Sequence, residues 1–94
     1  MTDTLRVLLV EDSATDAKLI VHALQSIGRP VEVERVEDGA SMSLALEKEK
    51  WDVVLSDWSM PKFSALGALA LLRKTGSEIP FIIVSGTVGE EAAV

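Results

Sequence analysis

Cysteine is absent from this 94-residue chain. Disulfides, thiolate zinc sites and cysteine nucleophiles are therefore excluded together. Histidine occurs once, at His22, which removes a His-rich metal site and most acid–base triads. Basic residues are in the minority. Nine Lys and Arg stand against 15 Asp and Glu, for a net charge of -6. Such a chain repels nucleic acid at long range, so direct DNA or RNA binding is not expected. Three Pro and six Gly are too few for a low-complexity or collagen-like chain. The longest apolar runs are about six residues, against the ~20 of a membrane helix. The segment from Met1 to Arg6 lacks the charged start and long apolar stretch of a signal peptide. A reducing cytoplasmic setting without membrane insertion is the expectation.

The rest is globular in character, with 48% hydrophobic and 26% charged residues. One domain is expected, burying only ~60–65% of its unfolded surface. Leu5 to Val10 is a continuous apolar run that reads as a strand buried on both faces, as in a parallel sheet. Ser13 to Ile27 reads as a helix, with Leu19, Ile20, Ala23, Leu24 and Ile27 on its apolar side. Ser13 or Asp12 caps its start and Gly28 marks its end. Val31 to Val36 alternates apolar and charged residues, the pattern of an edge strand with one wet face. Asp38-Gly39 is a turn signal before a helix over 40–50, with Met42, Leu44, Ala45 and Leu46 as apolar candidates. Trp51 to Asp57 is a third strand, and Pro61 lies in the break after it. Ser64 to Lys74 is a leucine-rich helix stopped at Gly76, and Ile79 to Ser85 a fourth strand. Gly86 to Val94 reads as a loop entering a fourth helix. Alternating strands and helices imply an α/β parallel sheet with right-handed crossovers.

The chemistry-bearing residues gather at the carboxyl ends of these strands. They are Glu11 and Asp12 after the first, Asp57 ending the third and Ser85 ending the fourth. Open α/β sheets bind ligands at that edge. Three acids brought together there repel one another. A hard divalent cation relieves this, and octahedral Mg2+ holding one or two carboxylates, a carbonyl and waters is the natural choice.

Val7 to Ser13, Asp52 to Pro61 and Pro80 to Gly86 together resemble the receiver domain of two-component response regulators (CheY-like). The resemblance runs from about Leu5 to Val94. It implies a flavodoxin-like, doubly wound parallel sheet with strand order 2-1-3-4 for the strands seen here. It implies that Asp57 is the phosphoacceptor for a histidine kinase or histidine phosphotransfer protein. Glu11, Asp12, Asp57 and the backbone carbonyl of Ser59 would position Mg2+, and Ser85 would be the switch hydroxyl that turns toward the phosphoryl group. Trp58 and Ser59 fall at variable positions that govern access.

The family continues through the rest of helix 4, a fifth strand bearing a Lys, and a fifth helix. The 94 residues are expected to end before these elements, as an incomplete receiver domain over 1–94. Two expectations follow from the resemblance. Without that Lys, phosphotransfer should be slow or lost, and the alternative to a phosphoacceptor is a truncated receiver acting as a protein-interaction module with little phosphotransfer. Without the fifth strand and helix, the fourth strand presents an apolar edge, and self-association or segment exchange into a homo-oligomer is expected. Enzyme readings fit less well. An FMN site would place a phosphate beside Glu11 and Asp12. A phosphatase of the haloacid dehalogenase type would need an Asp where Ser59 stands. The remaining polar residues have plain readings: His22 on a helix surface, Trp51 packing at a strand start, and Glu32, Glu34 and Arg35 as a solvated edge.

Overall fold

The computed structural model describes residues 4–58, 63–84 and 91–93. Strand β1 (Leu5–Val10), helix α1 (Ala14–Gln25), β2 (Val31–Val36), α2 (Gly39–Lys48), β3 (Val53–Asp57), α3 (Ala65–Lys74), β4 (Phe81–Val84) and β5 (Glu91–Ala93) follow in that order. The sheet order is β2-β1-β3-β4-β5. The first four strands are parallel, in the expected order 2-1-3-4 of a flavodoxin-like α/β fold.

β1 is an interior strand because its residues satisfy both faces and both edges at once. It pairs with β2 from Leu5↔Val31 to Val10↔Val36, and with β3 from Val7↔Val53 to Val10↔Ser56. Val7, Leu8, Leu9 and Val10 are all fully buried. Alternation divides them between two cores. Leu8 and Val10 join Val36, Val54, Phe81 and Ile83 against Met42 and Ala45 of α2 and Ala68 and Leu72 of α3. Val7 and Leu9 join Leu55 against Ala17 of α1, with Ile20, Val21 and Leu24 packed beside them.

Caps set the helix limits. The Ser13 hydroxyl accepts from the Asp16 N–H at α1, and the Ser64 hydroxyl accepts from the Gly67 N–H at α3. Asp38 caps α2 through a box with Ser41, so Gly39 is the first helical residue and not half of a free turn. Gly28 and Gly76, past the ends of α1 and α3, have φ of 85° and 84°, a conformation glycine adopts without a Cβ penalty. The Trp51 indole N–H donates to the Ala45 carbonyl at 3.0 Å, which places Trp51 in the core just before β3 begins at Val53.

Three expectations are corrected. Leu19, Ala23, Ile27, Leu44 and Leu66 are exposed, not core; the buried stripes of their helices run through Ala17, through Met42 and Ala45, and through Ala65, Ala68 and Leu72. The alanines among these positions take up little space against the sheet, while Met42 and Leu72 fill the core between the helices and the strands. The chain after β4 does not enter a fourth helix at 91–93. It returns as β5, antiparallel to β4, with pairs Ile82↔Ala93, Ile83↔Ala92 and Val84↔Glu91. β4 is therefore not the open edge on which self-association was argued, because its unpaired backbone groups are taken by these residues. The charged residues of β2 are paired as well as solvated: Glu34 meets Lys48 at 2.9 Å and Glu32 meets Arg6 at 3.4 Å.

Phe81 is the largest fully buried side chain. Phe81→Ala is expected to cost about 3–5 kcal/mol in urea unfolding. Leu44→Ala, at an exposed position, should stay within about 0.5 kcal/mol of the parent.

Candidate functional site

The carboxyl edge of the sheet follows from register. β1 and β3 are neighbours, with Val10 opposite Ser56, so the residues that follow Val10 lie beside Asp57. Glu11 prolongs the β1–β2 ladder by donating its N–H to the Val36 carbonyl at 3.0 Å. The chain then turns into α1. The Ser13 N–H donates back to Glu11 Oε2 at 3.1 Å, which fixes that carboxyl beneath the helix start.

Glu11 is 1% exposed and Asp57 7%, whereas Asp12 is exposed. One carboxylate oxygen from each of Glu11, Asp12 and Asp57 lies within 4.8 Å of the other two. Three sequence-derived candidates are thus brought together. Ser59 and Ser85 lie outside the described residues. Ser85 directly follows Val84, whose register partner is Asp57. Trp58, 54% exposed, stands next to Asp57 in the chain.

Electrostatics make the cluster costly. Burial pushes the Glu11 carboxyl up to about 7 from its usual value near 4.5. The Ser13 N–H opposes this, while Asp57, Asp16 and a hydrogen bond with Asp12 add to it. A group of this kind either keeps a proton near neutrality or meets a cation. The donor set suits a hard divalent ion. Octahedral oxygen ligands ~2.1 Å from such an ion lie ~3–4 Å from one another, and the 4.8 Å limit on these oxygens brings all three within reach of one ion.

Residues 7–94 match the family model of the response regulator receiver domain. The chain belongs to that family. Receiver domains are the signal-taking modules of two-component systems, and relatives of several kinds contain a similar stretch. The transcription factor SKN7 of Saccharomyces cerevisiae is 38% identical over 82 residues, covering 87% of this chain and 13% of that protein. The chemotaxis protein CheY homolog of Campylobacter jejuni is 28% identical over 92 residues, covering 96% of this chain and 70% of that one. The receiver domain of a sensor histidine kinase from Pseudomonas aeruginosa PAO1 superimposes with a TM-score of 0.73 at 27% identity, over 87% of this chain and 67% of the other. That structure holds a magnesium ion in its active site cleft. The receiver spans only 13%, 22% and 11% of three larger relatives, the transcription factor, a protein-glutamate methylesterase and a gliding motility regulator. No described helix is long and apolar enough to cross a membrane.

Sequence reasoning overlooked one contributor to this edge. Arg35 of β2 donates from Nη1 to the Glu11 carbonyl at 3.1 Å and faces Glu37 at 3.4 Å. The only signal in the sequence was a lone cation in an otherwise acidic strand.

The pKa of Glu11 sets a pH dependence. An acid whose pKa is raised on folding binds its proton more tightly in the native state. Native stability is then highest below the unfolded value near 4.5 and falls as pH rises to about 7. Without divalent ions, unfolding free energy from this group should drop by on the order of 2 kcal/mol between pH 5.5 and 8. Urea titrations at the two pH values check this, and Glu11→Gln should flatten the difference.

Proposed function

We propose that this receiver is the phosphoacceptor of a two-component phosphorelay. It takes a phosphoryl group from a histidine kinase or a histidine phosphotransfer protein onto Asp57. The observation that carries the reading is the convergence of Glu11, Asp12 and Asp57 within one ion's reach at the carboxyl edge of the sheet. Glu11, Asp12, Asp57 and the Ser59 carbonyl would hold Mg2+, the ion found in the related Pseudomonas receiver. When bound, Mg2+ supplies positive charge to the phosphoryl oxygens and relieves the repulsion among the acids.

The carboxylate of Asp57 attacks the phosphorus of a phosphohistidine in line. An O–P bond forms, the P–N bond breaks, and the imidazole leaves with the electron pair and takes up a proton. The product is an acyl phosphate on Asp57. β3 fixes the attacking group, because Asp57 is the last residue of the strand and its main chain is held by the pairing with Val84. Its burial keeps bulk water from one side of the new bond, and Asp12, exposed at the rim, faces the donor. Ser85 is proposed as the hydroxyl that bonds the phosphoryl oxygens and biases the adjoining segment between two states. The proposed setting is the cytoplasm, where the receiver would meet its phosphodonor.

Intact mass after incubation with acetyl phosphate and Mg2+ tests the reading. One added phosphoryl group is expected, absent in Asp57→Asn. A gain that persists in the variant would move the site elsewhere. No gain in folded wild type would favour an interaction role. Binding of Mg2+ is read separately. At a hundred times its dissociation constant, Mg2+ should raise unfolding free energy by about 2.7 kcal/mol. Affinity should be higher at pH 8 than at pH 5.5, where the proton on Glu11 competes.

A further inference from the structure

We infer that Arg35 is a positioning residue for the acid cluster: its guanidinium holds the Glu11–Asp12 peptide in place from β2. The inference rests on the metal reading given above and extends it to a residue outside the carboxylate set.

The reason lies in the end of the β1–β2 ladder. In a parallel pair, a residue that donates to one residue of the neighbouring strand accepts from the residue two further on. Glu11 donates its N–H to the Val36 carbonyl, so its own carbonyl would accept from the N–H of Asp38. That N–H is turned away. Asp38 is the N-cap of α2, and its N–H donates to the Ser41 hydroxyl at 3.3 Å as half of the capping box. The start of α2 thus removes the donor that would have closed the ladder over Glu11. Arg35 Nη1 takes its place at 3.1 Å.

Arg35 is suited to this by position. Glu34 turns toward Lys48 of α2, so its neighbour Arg35 projects from the opposite face, where it lines the groove between α1 and β2 with Val31, Val33 and Lys18. From there the side chain reaches along the strand to the Glu11 carbonyl, and Glu37 at 3.4 Å steadies the guanidinium. The peptide that follows the Glu11 carbonyl carries Asp12, the one exposed acid of the cluster. With its N–H on Val36 and its carbonyl on Arg35, Glu11 is tied to β2 on both sides, and Asp12 leaves from a fixed peptide plane.

Positioning and charge predict opposite signs. A guanidinium near an acid cluster repels a metal ion, so if charge alone mattered, removing it would tighten Mg2+. If it positions, removal weakens Mg2+. Arg35→Met keeps the aliphatic stem and removes the donors, and Arg35→Lys restores one. By titration calorimetry, Arg35→Met is expected to bind Mg2+ about tenfold more weakly, at the low end for partners that orient metal ligands. Arg35→Lys should recover most of that loss. In metal-free protein, the Glu11 and Ser13 amides of Arg35→Met should exchange about tenfold faster, relative to the core amides of Leu72 and Phe81. Unchanged exchange at those two amides, or tighter Mg2+ binding, would overturn the proposal. If Arg35→Met does not fold, Arg35→Lys and Glu37→Gln carry the same comparison with smaller shifts. Faster exchange in a protein whose wild type binds no Mg2+ would overturn the metal reading and leave Arg35 as the clamp on Glu11.

Discussion

Four consecutive side chains of β1, Val7 to Val10, are sealed on both faces of the sheet while their backbone is paired on both edges. A strand in that state cannot slip. A shift of one residue would carry Leu8 and Val10 into the core of Val7 and Leu9, and would move Glu11 with them. The geometry of the acid cluster is in this sense a consequence of hydrophobic packing two to four residues upstream. The same holds for β3, where buried Val54, Leu55 and Ser56 lead into Asp57. Two pinned strands, side by side and ending at one level, put their terminal carboxylates together.

What the core gains, the site partly gives back. Glu11 is buried without a cation among its influences; the Ser13 N–H is the one group that favours its charged form. A fold selected for stability alone would place an apolar residue there. The cluster stays costly until a proton or a metal ion arrives, and that cost makes it responsive to both. The clamp formed by Arg35 belongs to the same economy: a strained arrangement of acids holds its shape only if the backbone beneath it is tied down.

How much of this could be read from the sequence depended on whether the signal was local. β1 and β2 have the bounds that their apolar run and alternation imply. Glu11, Asp12 and Asp57 stand out because charges abruptly end apolar strands. Helix faces were harder. In α3 almost every residue from Ala65 to Leu72 is apolar, so periodicity does not fix its phase, and packing chose Ala65, Ala68 and Leu72 over Leu66. The segment 91–93 was expected to enter a helix, but an available strand edge outweighed weak local preference. Arg35 was the least legible. Its role exists only because the capping box of α2 diverts a backbone N–H, and that event joins three elements remote in sequence.

The two ends of the sheet show how the chain separates structural from functional charge. At the amino ends of the strands, Arg6 is paired with Glu49 and Glu32, donates its main-chain N–H to the Asp52 carboxylate, accepts from the Asp52 N–H, and lies 6.0 Å from the Trp51 ring centroid. The acids there find donors within the protein, and the network ties β1 to β2 and to the chain entering β3. At the carboxyl ends three acids converge, and the nearest described guanidinium, that of Arg35, spends its hydrogen bonds on a carbonyl and on Glu37. The same residue types are used at both poles. Among the described residues, only the second leaves negative charge without a matching cation, and unmatched charge in a buried setting calls for a partner.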